Sequence, residues 1–255
     1  MRLRIAAPEG PLYAPLLSSP APREVVLIRT SEHHCAQLLA TSQVEVAFLS
    51  PLAYGQASQT TEYRIIPASA LALEGYTERV WLAFRPGLRT LRRCIVPAEA
   101  HFLPQALRLL LLELYDLEPE LLPRAVTQEV DALHDADAVL SWNETHTDFP
   151  RLDVGEEWYT AFEYPLLLGF WVCRGEELPS TLPHLLLSLA RSALPAIESV
   201  REASPIPPLP PRHGRIHWRW NQILADALQQ TLTLLYYHGL VPHIREVTLW
   251  DASSP

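Results

Sequence analysis

The sequence predicts an α/β protein of two lobes joined by two hinge strands, with a ligand cleft between the lobes. Three observations carry this expectation. Strand, helix and strand signals follow one another before Ser50, a βαβ unit that implies parallel pairing and a right-handed crossover. A second α/β cycle opens after Arg85-Pro86-Gly87. Two apolar runs, Val80 to Phe84 and Leu167 to Val172, are placed to take the chain out of the first lobe and bring it back. The expected division is 1–84 with 168–255 for one lobe and 85–167 for the other.

In chain order, Leu3 to Ala7 and Glu24 to Arg29 are the first two expected strands. Thr30 or Ser31 offers a side-chain oxygen to cap a helix that runs to Leu39, with Cys35, Leu38 and Leu39 on its apolar side. Val44 to Leu49 is rich in β-branched and apolar residues and stops at Ser50-Pro51, a strand-to-turn boundary. Tyr63 to Ile66 and Arg79 to Phe84 continue as strands. In the second cycle Arg93 to Val96 is a strand, Leu103 to Leu114 a strongly apolar helix, and Ala136 to Leu140 a strand. The last third is expected to be helical. Apolar residues at 185, 186, 189, 193, 197 and 200 fit a helix from His184 to Val200, kinked or ended by Pro195. A proline-rich spacer, Pro205 to Pro211, leads to a final helix from Asn221 to His238, stopped by Gly239 and Pro242.

Composition narrows the chemistry. The 255 residues are 48% hydrophobic and 19% charged, an ordinary globular balance. A net charge of −9 argues against a nucleic-acid or anionic-membrane partner. All 20 basic residues are arginine. The absence of lysine excludes Schiff-base chemistry and the lysine of a phosphate loop. The nine glycines fit neither dinucleotide nor nucleotide-triphosphate spacing, and no nucleophile elbow exists. Cys35, Cys94 and Cys173 form no paired motif, which suits a reducing compartment. With no signal-peptide-like start and no apolar run near the roughly 20 residues of a membrane span, the expected location is cytoplasmic.

Ligands of open α/β sheets bind beyond the carboxyl ends of the strands. The loops expected to face the cleft are therefore Ala7 to Tyr13, Ser50 to Tyr54, Thr77 to Val80, Ala98 to Pro104 and Ser141 to Thr147. Arg79 stands beside the outgoing strand, either as a bidentate carboxylate contact or as a surface partner of Glu78. His101 opens a helix, as an anion or acid/base contact or as a cap residue. Ser50 is a cleft hydroxyl or a turn former before Pro51. Asn143 and Glu144 follow the Ala136 to Leu140 strand at its carboxyl end, in a ligand position or a plain polar loop. Trp158, Phe170 and Trp171 read as core aromatics. Asp135 and Asp137, at a strand start, read as solvated. The ten histidines show no four-ligand zinc set.

Val44-Glu-Val-Ala-Phe-Leu-Ser-Pro-Leu-Ala-Tyr-Gly55 followed by Tyr63-Arg-Ile-Ile-Pro67 resembles a known family. Asp153-Val-Gly-Glu-Glu-Trp-Tyr159 running into Pro165 to Val172, and the closing Tyr236-Tyr-His-Gly-Leu-Val-Pro242, keep the same order. These segments resemble the menaquinone-biosynthesis enzymes of the futalosine route, chorismate dehydratase most closely and dihydroxynaphthoate synthase next. The resemblance implies a type II periplasmic-binding-protein-like fold. It also implies a hydro-lyase reaction, loss of water from chorismate to give an enolpyruvyl-oxy benzoate, with no cofactor and a small anionic aromatic precursor as substrate.

Three usual contact points differ here. The family's tyrosine-leucine-asparagine in the first cleft loop falls on Gly10, Pro11 and Leu12, with Tyr13 next as a phenolic contact. Its serine/threonine cluster at the second-lobe helix falls on His101, Phe102 and Leu103, and its small polar step before the crossing strand on Glu78-Arg79. The residues expected to touch a ligand are thus Leu12, Tyr13, Ser50, Arg79, His101, Phe102, Asn143 and Glu144. The rival readings are a catalytically silent two-lobed protein that binds a small carboxylate, and a partner-binding subunit whose cleft is filled by Leu12, Phe102 and Leu103.

Overall fold

A computed structural model describes residues 2–58, 61–98, 101–125, 129–142, 149–175, 178–203 and 208–251. The chain opens with β1 (Leu3–Pro8) and β2 (Val25–Thr30), paired in parallel from Leu3↔Val25 to Pro8↔Thr30. Helix α1 (Glu32–Ala40) starts where the Ser31 Oγ accepts the His34 backbone N–H at 3.3 Å. Strand β3 (Val46–Leu49) is buried at every position and runs parallel to β1, as a continuous apolar run in a parallel sheet should. The sequence stops it at Ser50-Pro51, and a short helix α2 (Pro51–Gln56) begins there. Proline at the first helical position has its φ already set and no N–H to leave unsatisfied.

Strand β4 (Tyr63–Gly75) runs far beyond the four residues the pattern suggested. Ser69 lies in its middle, where its Oγ accepts the buried Trp171 indole N–H at 2.8 Å. That contact lets a polar residue sit inside the sheet at little cost. Then come β5 (Trp81–Phe84), β6 (Arg93–Pro97), α3 (Leu103–Tyr115), β7 (Glu120–Arg124), α4 (Glu129–Asp135) and β8 (Ala138–Ser141). A short β9 (Arg151–Asp153) leads into α5 (Val154–Phe162), and β10 (Leu166–Arg174) follows. The last elements are α6 (Leu182–Ser188), β11 (Ile197–Arg201), β12 (His213–Arg219) and α7 (Gln222–Tyr237).

The expected helix from His184 to Val200 is overturned. Helix α6 ends at Ser188, and Ile197–Arg201 is a strand next to β12. Pro195 has no N–H for a helix ladder and disfavours the α conformation at Leu194, and Ala193 turns the chain at φ +62°. The apolar spacing that looked helical is shared between one helix and one strand. The expectation of a solvated Asp137 also fails: it is buried, because its carboxylate fixes the start of β8 to the segment before β6.

Two sheets result. The seven-stranded sheet has the order β11-β12-β4-β10-β3-β1-β2, and the five-stranded sheet β7-β6-β8-β5-β9. Each repeats one plan: second, first and third strands of a parallel set, then a strand antiparallel to the third, then a fourth. In the first sheet the antiparallel strand is β10 and in the second it is β5. This shared order is that of the type II periplasmic-binding-protein-like α/β fold.

The chain divides into two compact units, residues 1–72 with 167–198 and 217–255, and residues 73–166 with 199–216. The outgoing boundary lies inside β4, earlier than Phe84, because β5 pairs entirely with β8 and β9. Residues 199–216 join the rest of the second unit through Arg212, whose guanidinium meets Glu156 at 2.9 Å, and through the His213 carbonyl, which accepts the Tyr76 N–H at 3.1 Å.

In the first unit the core gathers Leu39, Tyr54, Ile65, Phe170, Leu228 and Leu232. Gly169 is required there, since a Cβ would lie 2.2 Å from Phe48 Cε1. In the second unit Ala83, Ile95, Leu133, Ala136 and Val139 form a smaller core beneath α4.

Candidate functional site

In the first unit, β1 and β3 are parallel neighbours, with Ile5↔Val46 and Ala6↔Ala47 in register. The loop after Pro8 and the turn after Leu49 therefore leave the sheet at the same carboxyl edge, the edge at which α/β sheets bind ligands. Leu12 and Tyr13 are both buried in that loop. The Tyr13 ring packs edge-on against Phe48 at 5.8 Å, and Phe48 against Trp171 at 5.1 Å. Its hydroxyl donates to Glu32 Oε1 at 2.7 Å in a buried contact. Burial, then the Glu32 carboxylate, holds the phenol well above its ordinary range. Tyr13 is thus engaged inside its own unit.

Ser50 is also buried. Its Oγ accepts the Ala53 backbone N–H at 3.4 Å, capping α2. A hydroxyl that accepts through oxygen still carries a proton to donate, and Ser50 makes no donated hydrogen bond among the described residues.

In the second unit, β6 and β8 are parallel, and β5 runs antiparallel to both β8 and β9. Trp81 lies opposite Ser141 on one side and Asp153 on the other. The start of β5 and the carboxyl ends of β6, β8 and β9 therefore share one edge. Arg79, half-buried, lies on the turn that enters β5. His101, half-buried, and Phe102, buried, enter α3 after β6. Phe102 occupies the N-cap position without a capping side-chain bond, and its carbonyl accepts the Ala106 N–H at 2.9 Å. Asn143 and Glu144 lie outside the described residues.

The turn carrying Arg79 is held by a residue not singled out from sequence, Asp153. Its Oδ2 accepts the backbone N–H of Thr77 at 3.0 Å and of Glu78 at 2.7 Å. Its Oδ1 accepts the Glu156 N–H at 3.1 Å, capping α5. Asp153 is fully buried, and that burial outweighs the three donors, so its carboxyl is pushed up to about 6. Glu78 adopts φ +56°, and its carboxylate accepts the Tyr76 hydroxyl at 2.7 Å. Trp81 is covered by the Arg151 guanidinium, 4.0 Å from its ring centroid, and Tyr76 by that of Arg212 at 4.1 Å. The sequence did carry a signal for Asp153: an acceptor followed three residues later by Glu156 has helix-start spacing.

The structure thus gathers Leu12, Tyr13 and Ser50 on one sheet edge of the first unit, and Arg79, His101 and Phe102 on one sheet edge of the second. Among the described residues no three His, Cys, Asp or Glu side chains are grouped to hold a metal ion. No helix among them is long and apolar enough to cross a membrane.

A family profile described as menaquinone biosynthesis matches residues 7–207. Among solved structures, the chain is similar to protein AF1704 from Archaeoglobus fulgidus, at 20% identity and a TM-score of 0.52 over 72% of this chain and 71% of that one. This is a likeness of fold. Weaker likenesses, which carry no argument, link it to two further proteins. One is an ABC transporter periplasmic substrate-binding protein from Coxiella burnetii, at 15% identity, TM-score 0.44 and coverages of 73% and 91%. The other is a nutrient-binding protein from Burkholderia cenocepacia bound to methionine, at 12% identity, TM-score 0.44 and coverages of 75% and 92%. A search of curated proteins finds no match. With the profile spanning most of its length, the chain belongs to the menaquinone biosynthesis family.

Proposed function

We propose that this protein is a chorismate dehydratase-like hydro-lyase of menaquinone biosynthesis, with Arg79 as a carboxylate contact. The observation that carries the reading is the fixed placement of Arg79, on a turn that Asp153 holds at the carboxyl edge of the second sheet. A planar guanidinium suits bidentate capture of a carboxylate. Ser50, with its O–H left to donate, and His101 supply polar groups on their own sheet edges. The reaction asks little of a protein. Loss of the ring hydroxyl with a neighbouring ring proton makes the ring aromatic, so the driving force resides in the substrate. Holding the carboxylates and orienting the ring supply the catalysis. Asp153 is a positioning residue here, because all its described contacts are to backbone N–H groups and the Thr77 hydroxyl.

Burial of Leu12 and Phe102, at positions where the resembled enzymes carry polar contacts, supports a second reading: a silent protein that binds a small carboxylate. One experiment separates the two. The protein is incubated with chorismate and the ultraviolet spectrum is followed for an aromatic product. Product formation that falls about tenfold or more in kcat/KM in Arg79→Ala, and is not restored in Arg79→Lys, supports the enzyme. An absence of product overturns it. Stabilisation by chorismate without product, about 2.7 kcal/mol at 100 times the dissociation constant, identifies the binder.

A further inference from the structure

The segment between β5 and β6 lies at the end of the second sheet opposite the candidate site, since it joins the carboxyl end of β5 to the amino end of β6. It encloses a concavity of about 600 Å³ lined by Arg85, Arg89, Thr90, Arg92, Arg93 and Asp137, with Gly87 and Leu88. Four arginines face one carboxylate. Asp137 is fully occupied as a staple: Oδ1 accepts the Arg85 guanidinium at 2.7 Å, and Oδ2 the backbone N–H groups of Arg92 at 2.9 Å and Arg93 at 3.0 Å. Arg85 N–H donates to the Asp137 carbonyl at 2.9 Å, and Asp137 N–H to the Arg93 carbonyl at 3.0 Å. Between them, Arg85-Pro86-Gly87-Leu88 closes a turn with Leu88 N–H on the Arg85 carbonyl at 3.2 Å and Gly87 at φ +74°. Proline followed by a positive-φ glycine is type II turn chemistry.

The loop is therefore fixed at both ends while its cationic groups stay exposed. Arg89 and Arg92 have no side-chain ion pair among the described residues, and Arg93 acts on Asp137, whose carboxylate already pairs with Arg85. Crowding like charges in an otherwise acidic protein is unfavourable unless an anion neutralises them. The concavity has the volume of a small-molecule site, and guanidinium forks match clustered oxyanions bidentately.

We propose that this concavity binds a small polyanion with clustered oxyanions, a diphosphate group above all, at a site separate from the one that binds the aromatic precursor. The full chain is titrated calorimetrically with inorganic pyrophosphate at constant ionic strength, and with citrate in a parallel arm to separate phosphate from polycarboxylate chemistry. The expected result is saturable one-to-one binding that weakens about tenfold or more in Arg89→Ser/Arg92→Ser. Both side chains are exposed, and Arg92 gives the Asp137 staple only its backbone N–H, which serine keeps, so the double variant should keep its melting temperature. Chorismate turnover or binding is followed in the same variant and should not change. Citrate binding more tightly than pyrophosphate reassigns the ligand to polycarboxylates. Absence of saturable binding by either anion, or binding that the double variant leaves intact, overturns the proposal.

Discussion

Glu78 donates its backbone N–H to the Asp153 carboxylate at 2.7 Å, although the two are far apart in sequence and Asp153 is fully buried. That bond joins the turn entering β5, which carries Arg79, to the start of α5.

The pH dependence of stability should carry its mark. Asp153 is raised from 3.8 to about 6 in the folded protein, so the folded state holds its proton more tightly than the unfolded chain. Its contribution is greatest below about pH 4 and is lost as pH rises to about 6, a change of roughly 2–3 kcal/mol. Denaturant unfolding at several pH values should show this decline in the parent and not in Asp153→Asn.

Gly214 sets a second constraint on the same unit. A Cβ there would lie 2.1 Å from the Tyr76 carbonyl oxygen and 2.6 Å from that of Glu74. Backbone atoms cannot step aside as a flexible side chain can. Gly214→Ala should therefore cost about 2 kcal/mol or more, seen as a lower thermal midpoint. Gly55→Ala meets only the side chains of Val241 and Leu232 and should cost less.

Tyr13→Phe removes one buried hydrogen bond to Glu32 while keeping the ring contact with Phe48. A carboxylate that loses a buried donor is left worse solvated than before, so a loss of about 1–3 kcal/mol is expected in chemical denaturation. Chorismate turnover by the remaining folded protein should be unchanged, because the Tyr13 hydroxyl points into its own unit.

The thiols should be inert in the native state. Cys35, Cys94 and Cys173 are buried, and burial pushes Cys35 and Cys94 up to about 12. Thiolate, not thiol, reacts with disulfide reagents. Labelling should be slow in native protein and rapid in denaturant; rapid native labelling would contradict the burial.

Much of the site's framework was legible along the chain. Thr30 or Ser31, of which the structure uses Ser31, and Asn221 were readable as helix starts because a cap acts on donors within its own turn. The apolar run Val44 to Leu49 and the stop at Ser50-Pro51 placed β3 and its carboxyl edge for the same local reason. Misreadings arose where a local pattern fitted two structures, as at His184 to Val200, where apolar spacing alone could not separate a long helix from a helix and a strand.

The α/β class, most strands and the separate sheet edges that carry Ser50 in the first unit and Arg79 and His101 in the second follow from the chain alone, through propensity, capping and strand polarity. Only the tertiary structure decided what the side chains do there. Tyr13 turns to Glu32, Asp153 grips Thr77 and Glu78, and Asp137 staples an arginine-lined loop. Each of these joins residues distant in sequence, and the balance of burial against hydrogen bonding that fixes them exists only once the chain has brought them together.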